Sequence, residues 1–237
     1  EAIGYWPAVA YIVFKTILCI GMWGAAVIGW LGQPLGWPLR VLGVVAAATL
    51  TTWFSGAAAQ SFSVGTANAE RGAEATGVIR VPATSDAGTE IPVTVIHGSE
   101  DGPVLSLIAG IHGYEYAPML ALQKLRKQLR ANVLRGTIIL VHMANPESFF
   151  ARTVYYNPVD GKNLNRAFPG QPDGSHSERV AHALTTEVIE QADYLIDLHA
   201  GDGNESLRPF TYMPRTGDAA LDEETRRLAL AFGIDHI

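Results

Sequence analysis

The chain has 237 residues, of which 48% are hydrophobic and 17% are charged, and its formal net charge is −6. The charges are spread unevenly, because residues 1–69 hold three of the 40 charged side chains. After residue 69, 15 Lys and Arg stand against 22 Asp and Glu. This acidic balance argues against a nucleic-acid partner, which normally needs a basic surface. Cys19 is the single cysteine, which excludes a disulfide framework and a cysteine-based zinc site.

Residues 1–59 form a hydrophobic region that predicts membrane-spanning or signal helices. Residues 6–32 are apolar apart from one lysine, and residues 41–59 carry no charge, so each run is about as long as a bilayer span of roughly 20 residues. Residues 41–59 also suit a secretory signal that begins at Arg40 and is cleaved at the alanines 57–59. A buried helical hairpin is a third alternative. The first two alternatives both place the catalytic domain outside the cytoplasm, in the periplasm, if Arg40 stays inside.

The remaining sequence predicts a polar linker over 60–76 and an α/β catalytic domain over 77–237. Apolar runs and β-branched alternation predict strands at 77–82, 91–97, 104–109, 137–143 and 194–198. Amphipathic periodicity predicts helices at 117–134, 177–192 and 221–232. Alternating strands and helices favour a sheet that is covered by helices on both faces. Ligand sites in such sheets gather where the strands end.

Two segments with metal-binding side chains follow buried strands. His112 and Glu115 lie three residues apart in a glycine-containing turn, which can aim an imidazole and a carboxylate at one point. Asp197 and His199 are two apart at the end of another strand, so they share a face, and Asp197 can hold the second nitrogen of His199. Two histidines and a glutamate with an open fourth position are typical of catalytic zinc. Hydrogen-bonded structural histidines are the alternative.

A third polar segment runs from Arg152 to Gly170 and includes Asn165 and Arg166. A guanidinium group binds a carboxylate through two parallel hydrogen bonds, and a neighbouring asparagine adds a directional one. The segment therefore predicts a site for a carboxylate. A solvated loop with surface charges is the alternative.

Three motifs together resemble the succinylglutamate desuccinylase/aspartoacylase family, which is related to the zinc carboxypeptidases. They are Ala-Gly-Ile-His-Gly-Tyr-Glu at 109–115, Asp-Gly-Lys-Asn-Leu-Asn-Arg-Ala-Phe-Pro-Gly at 160–170, and Asp-Leu-His-Ala-Gly-Asp-Gly-Asn-Glu at 197–205. The resemblance covers roughly residues 76–237. It implies a zinc-carboxypeptidase-like mixed sheet and one Zn²⁺ held by His112, Glu115 and His199.

The same resemblance implies roles for the polar loop. Asn165 and Arg166 would bind the substrate carboxylate, and Arg152 would polarise the scissile carbonyl or grip a carboxylate. The implied activity is the zinc-dependent deacylation of a small N-acyl amino acid. The alternatives are a zinc carboxypeptidase acting on peptide or cell-wall tails, and an inactive, membrane-anchored binding or transport component. Zinc content separates the last alternative from the two enzymes.

The family's general base is a glutamate that lies well after the second zinc histidine. No match to it precedes Ile237, and the setting of Glu205 suggests a loop, so we expect the catalytic domain to be truncated at its C-terminal end. Four other histidines are interpreted without function. His97 and His142 are predicted to be structural, and His176 and His182 are predicted to be solvated.

Overall fold

The structure is a computed structural model that describes residues 61–236. The predicted membrane or signal helices at 1–59 lie outside these residues. Between residues 61 and 236, no helix is both long enough and apolar enough to cross a membrane. The strands are β1 Phe62–Val64, β2 Ala67–Ala69, β3 Ala73–Val81, β4 Thr89–His97, β5 Glu100–Ala109, β6 Arg135–Val141 and β7 Tyr194–Leu198. The α-helices are α1 Tyr116–Gln128, α2 Pro146–Ala151, α3 His176–Leu184 and α4 Ala219–Phe232.

Five of the strands form one mixed sheet in the order β3-β4-β6-β5-β7. The β3–β4 and β4–β6 pairs are antiparallel, whereas β5 runs parallel to both β6 and β7. The chain therefore leaves β5 toward β6 on one side and returns to β7 on the other. Such a switch point opens a crevice at the carboxyl ends of the strands, where α/β proteins bind their ligands. The predicted mixed α/β sheet is confirmed.

Alternate side chains of the strands fill two apolar layers, one on each face of the sheet. Val93 and Val95 of β4 pack in one layer with Val180 and Leu184 of α3. Ile96, which follows in the same strand, packs in the other layer with side chains of α1. Because successive strand residues point to opposite faces, α3 covers one face and α1 covers the other.

The predicted linker at 60–76 is where the sequence and the structure differ most. The structure places β1, β2 and the start of β3 in this segment, and β1 pairs with β2 in antiparallel fashion. Val64, Ala67 and Ala69 are buried in the core. A Cβ at Gly65 would lie 2.3 Å from the carbonyl oxygen of Val78, so the turn packs directly on β3. The prediction missed these strands because each has three residues, which is too short for an alternating pattern to be recognised.

Two predicted helices are shorter in the structure. The helix predicted at 117–134 ends at Gln128 and is followed by a 3₁₀ turn at Ala131–Val133. The helix predicted at 177–192 consists of α3 and a π-helical turn at Thr185–Ile189. A capping box between Ser175 and Glu178 fixes the start of α3.

The prediction that His176 is solvated is wrong. Its side chain is 1% exposed, and Nδ1 lies 3.2 Å from Oδ1 of Asp86 while Nε2 lies 3.3 Å from Oε2 of Glu147. Arg179 donates to both carboxylate oxygens of Asp86, at 2.7 and 2.8 Å. The carboxylate of Glu147 and then that of Asp86 raise the pKa of His176, although burial opposes the shift. His97, by contrast, bonds the hydroxyl of a core threonine through Nδ1.

Candidate metal centre

The first two candidate ligands lie in the tight turn that joins β5 to α1. Gly110 has a φ of +75°, which turns the chain at the end of β5, and Glu115 directly precedes α1. A Cβ at Gly113 would lie 2.1 Å from the carbonyl carbon of Ser148 in α2. Only glycine therefore lets this turn pack on α2, and that packing sets the positions of His112 and Glu115.

His199 reaches the same place from the neighbouring strand. It directly follows β7, which pairs with β5 in parallel so that Leu198 lies beside Ala109. One ligand atom from each of His112, Glu115 and His199 lies within 4.8 Å of the others. Two strand ends that are adjacent in the sheet thus bring together residues from distant parts of the chain.

The carboxylate of Glu115 lies between the two imidazole rings. Its Oε1 is 2.7 Å from Nδ1 of His112, and its Oε2 is 2.9 Å from Nδ1 of His199. The backbone N–H of Ala200 also donates to Oε2, at 3.0 Å. Burial raises the pKa of Glu115, but the hydrogen bonds from His112, His199 and Ala200 outweigh it and lower the pKa to about 2. Glu115 is therefore ionised at any physiological pH.

The second nitrogen of His199 is held by another carboxylate. Its Nε2 lies 2.8 Å from Oδ2 of Asp197. Asp197 first and Glu115 second raise the pKa of His199 to about 10, against the effect of burial. Two carboxylates on one ring thus favour positive charge at this point, and a divalent cation would supply that charge.

The donor atoms fit zinc. Each ring presents Nδ1 toward Glu115 while its Nε2 is engaged by an oxygen, from Asn163 on His112 and from Asp197 on His199. When the Nε2 carries the proton, the Nδ1 lone pair is free for a metal. Imidazole nitrogen and carboxylate oxygen are ligands that Zn²⁺ prefers, and three of them leave one position open.

The predicted carboxylate-binding residues lie on a 3₁₀ turn, Leu164–Arg166. The side chain of Asn163 caps this turn and also contacts His112. Leu164 is buried and ties the turn to the core, while Arg166 is exposed and donates to the backbone oxygen of Asn165 at 3.0 Å. The turn therefore stands directly beside His112, the first candidate ligand.

The structure does not bring Arg152 into the hydrogen-bonded cluster of the three candidate ligands. Arg152 follows the last residue of α2 and has a left-handed backbone conformation with a φ of 57°. It is exposed and lines a groove of about 1280 Å³ together with Tyr116, Arg126 and Phe149. Within residues 61–236, no hydrogen bond or ion pair joins Arg152 to the three candidate ligands. Its predicted role at the scissile carbonyl stays a prediction from the resemblance.

Further residues support the site without having been singled out from the sequence. Tyr155 packs edge-to-face on His112 at 5.2 Å between ring centroids. A hydrogen bond with Asp202 raises its pKa, so Tyr155 links the two ligand-bearing loops. Asn145 is buried and donates to the carbonyl oxygen of Ile111 at 3.2 Å. The two tyrosines within the Arg152–Gly170 segment were the available signal for Tyr155, but the sequence did not show which of them faces His112. Asn145 lies outside all three motifs.

Comparisons with known proteins define the class to which this fold and site belong. Residues 101–237 match the model of the succinylglutamate desuccinylase/aspartoacylase catalytic domain. The chain belongs to this family.

Curated and solved relatives agree with this assignment. The chain is 39% identical over 163 residues to an N-alpha-acetyl-L-2,4-diaminobutyric acid deacetylase of Halomonas elongata, which covers 66% of this chain and 46% of that protein. An aspartoacylase family protein from Mesorhizobium loti is 32% identical, with a TM-score of 0.63 over 68% of this chain and 51% of the other. A succinylglutamate desuccinylase/aspartoacylase from Rhodobacter sphaeroides is 33% identical, with a TM-score of 0.62 over 68% of this chain and 50% of the other. The chain thus spans about half the length of these relatives.

Proposed function

We propose that the protein is a zinc-dependent hydrolase that removes the acyl group from a small N-acyl amino acid. The observation that carries this proposal is the convergence of His112, Glu115 and His199 at the ends of β5 and β7. Membership of a family whose relatives are named as deacylases supports the reaction. The small-molecule substrate follows from the same names and from the single exposed arginine on the turn beside the site.

The side chains divide into a metal-holding set and a substrate-holding set. His112, Glu115 and His199 would hold zinc through two Nδ1 atoms and a carboxylate, while Asp197 orients His199. When bound, zinc supplies Lewis acidity toward water and toward the acyl carbonyl. Arg166 would bind the substrate carboxylate through two parallel hydrogen bonds.

We assign no proton-transfer role to Glu205. Its carboxylate accepts a hydrogen bond from the backbone N–H of Asp202 at 3.3 Å, and its own N–H donates to the oxygen of Asp202 at 2.7 Å. These bonds close a local loop, as the sequence setting suggested. The resemblance places the base in a later glutamate of the catalytic domain.

An acetyl group is the first acyl group to test, because the 39% identical relative is named as a deacetylase. The test measures hydrolysis of N-acetylated amino acids, of N-succinylglutamate and of short unblocked peptides by the zinc-loaded protein with its whole catalytic domain, including the glutamate that the family uses as general base. We expect turnover of an N-acyl amino acid, its loss on chelation and its return with zinc. Cleavage of the peptides alone would favour the carboxypeptidase alternative, and a protein that binds no zinc would favour the inactive binding or transport component. Zinc binding without any hydrolysis would refute the proposed reaction.

A further inference from the structure

Asn163 touches both halves of the site. Its Oδ1 lies 3.2 Å from Nε2 of His112 and accepts a hydrogen bond from the backbone N–H of Asn165 at 2.9 Å. We propose that Asn163 is a positioning residue that couples the orientation of the metal ligand His112 to the turn that carries Asn165 and Arg166. Its effect on substrate rests on the proposed function, whereas its effect on metal affinity does not.

The two contacts fix the amide of Asn163 in one orientation. An amide oxygen accepts two hydrogen bonds, whereas the amide nitrogen only donates, so the donating backbone N–H of Asn165 requires that Oδ1 faces it. The same oxygen then accepts a hydrogen bond from Nε2 of His112. With Nε2 protonated, a bound metal would replace the proton that Nδ1 shares with Glu115.

The turn itself cannot drift away from Asn163. The backbone oxygen of Asn163 accepts from the N–H of Arg166 at 2.9 Å, and the side chain of Leu164 is 1% exposed in the core. A displacement of His112 therefore pulls on the turn through one shared oxygen. We therefore expect Asn163 to control how His112 is placed relative to Arg166.

The side chain of Asn163 is an uncharged amide, which suits this position better than a carboxylate would. Glu115 and Asp197 already place two carboxylates around the histidines. An amide oxygen orients His112 without adding a third negative charge beside the substrate carboxylate that Arg166 would bind. An aspartate could replace the hydrogen-bond acceptor, but its charge would repel an anionic substrate.

The experiment compares Asn163→Ala and Asn163→Asp with the parent chain. Asn132→Ala is the matched control, because Asn132 is an exposed asparagine in another 3₁₀ turn. Zinc dissociation constants are measured by competition with a chromophoric chelator, and thermal unfolding is measured in EDTA to detect loss of fold. The KM for an N-acyl amino acid is measured at saturating zinc.

We expect Asn163→Ala to weaken zinc binding by about 10- to 100-fold, as loss of an outer-shell partner does elsewhere. Asn163→Asp should restore zinc affinity to within about threefold of the parent. Its KM for the N-acyl amino acid should nevertheless be higher than that of the parent. Asn132→Ala should match the parent in both. The proposal is overturned if Asn163→Ala keeps parental zinc affinity, or if both Asn163 variants lose zinc together with thermal stability in EDTA. A parent protein with its whole catalytic domain that binds zinc but hydrolyses nothing would refute the proposed function and leave the metal half of this inference standing.

Discussion

Replacing His176 by glutamine tests the buried charge cluster that His176 forms with Asp86, Glu147 and Arg179. Glutamine keeps polar atoms near Asp86 and Glu147 but cannot carry the positive charge between them. Both carboxylates are mostly buried, with side chains 16% and 20% exposed, so they lose a partner that water replaces poorly. Breaking a buried pair costs about 3–5 kcal/mol. In a domain of this size about 3 kcal/mol corresponds to a fall of roughly 6–12 °C in Tm.

The loss should depend on pH in a defined direction. The folded protein raises the pKa of His176, so its contribution is fully present below its unfolded pKa and is lost as pH rises through the folded value. The pKa values of Asp86 and Glu147 are lowered, so their contributions are present above their unfolded pKa values and are lost as pH falls. Arg179 also faces Asp86 and donates to both of its carboxylate oxygens. The cluster therefore stabilises the fold most between about pH 5 and 6.5.

The assay is thermal unfolding in EDTA from pH 5 to 9, so that metal binding makes no contribution. His182→Gln is the matched control, because it makes the same substitution in the same helix α3. We expect the difference in Tm between the two variants to be largest near pH 6 and to shrink toward pH 9. A difference that is constant or grows with pH would refute the placement of a charged His176 between two carboxylates.

Three further predictions follow from the site and the sequence. Gly113→Ala would place a Cβ 2.1 Å from the carbonyl carbon of Ser148. We expect chemical denaturation to show a free energy of unfolding that is lower by about 1–3 kcal/mol, together with weaker zinc binding. Parental values for both would contradict the packing argument. Arg166→Lys and Arg166→Ala should each lower kcat/KM on an N-acyl amino acid by about 10- to 150-fold while zinc content is kept. Lysine should not rescue activity, because it cannot form two parallel hydrogen bonds with a carboxylate. Parental activity in either variant would show that Arg166 does not bind the substrate carboxylate. We also propose that residues 41–59 export the catalytic domain, so a periplasmic reporter fused at Gly77 should be active and a cytoplasmic one silent, with the reverse pattern overturning the topology.

Local pattern was enough to predict most of the sheet. The apolar runs at 104–109 and 137–143 became β5 and β6, because strands buried on both faces read as nearly continuous hydrophobic sequence. β1 and β2 were missed, since a strand of three residues is too short to give such a signal. Burial there depends on how closely the Gly65 turn approaches β3, which is a tertiary property.

The candidate ligands could be found from their motifs, but their geometry could not. His199 lies 84 residues from Glu115, and their contact depends on β7 pairing with β5, which no local pattern specifies. The contact between Asn163 and His112, 51 residues apart, was hidden for the same reason. His176 looked like a surface residue because its two carboxylate partners come from distant segments.

The central claim is tested most directly by the zinc content of the full chain and of His199→Ala. We expect about one zinc ion per parent chain, because three protein ligands converge at one point. His199→Ala should lose most of that zinc while remaining folded, and His182→Ala should keep it. Equal zinc content in His199→Ala and the parent would contradict the assignment of His112, Glu115 and His199 as the metal centre.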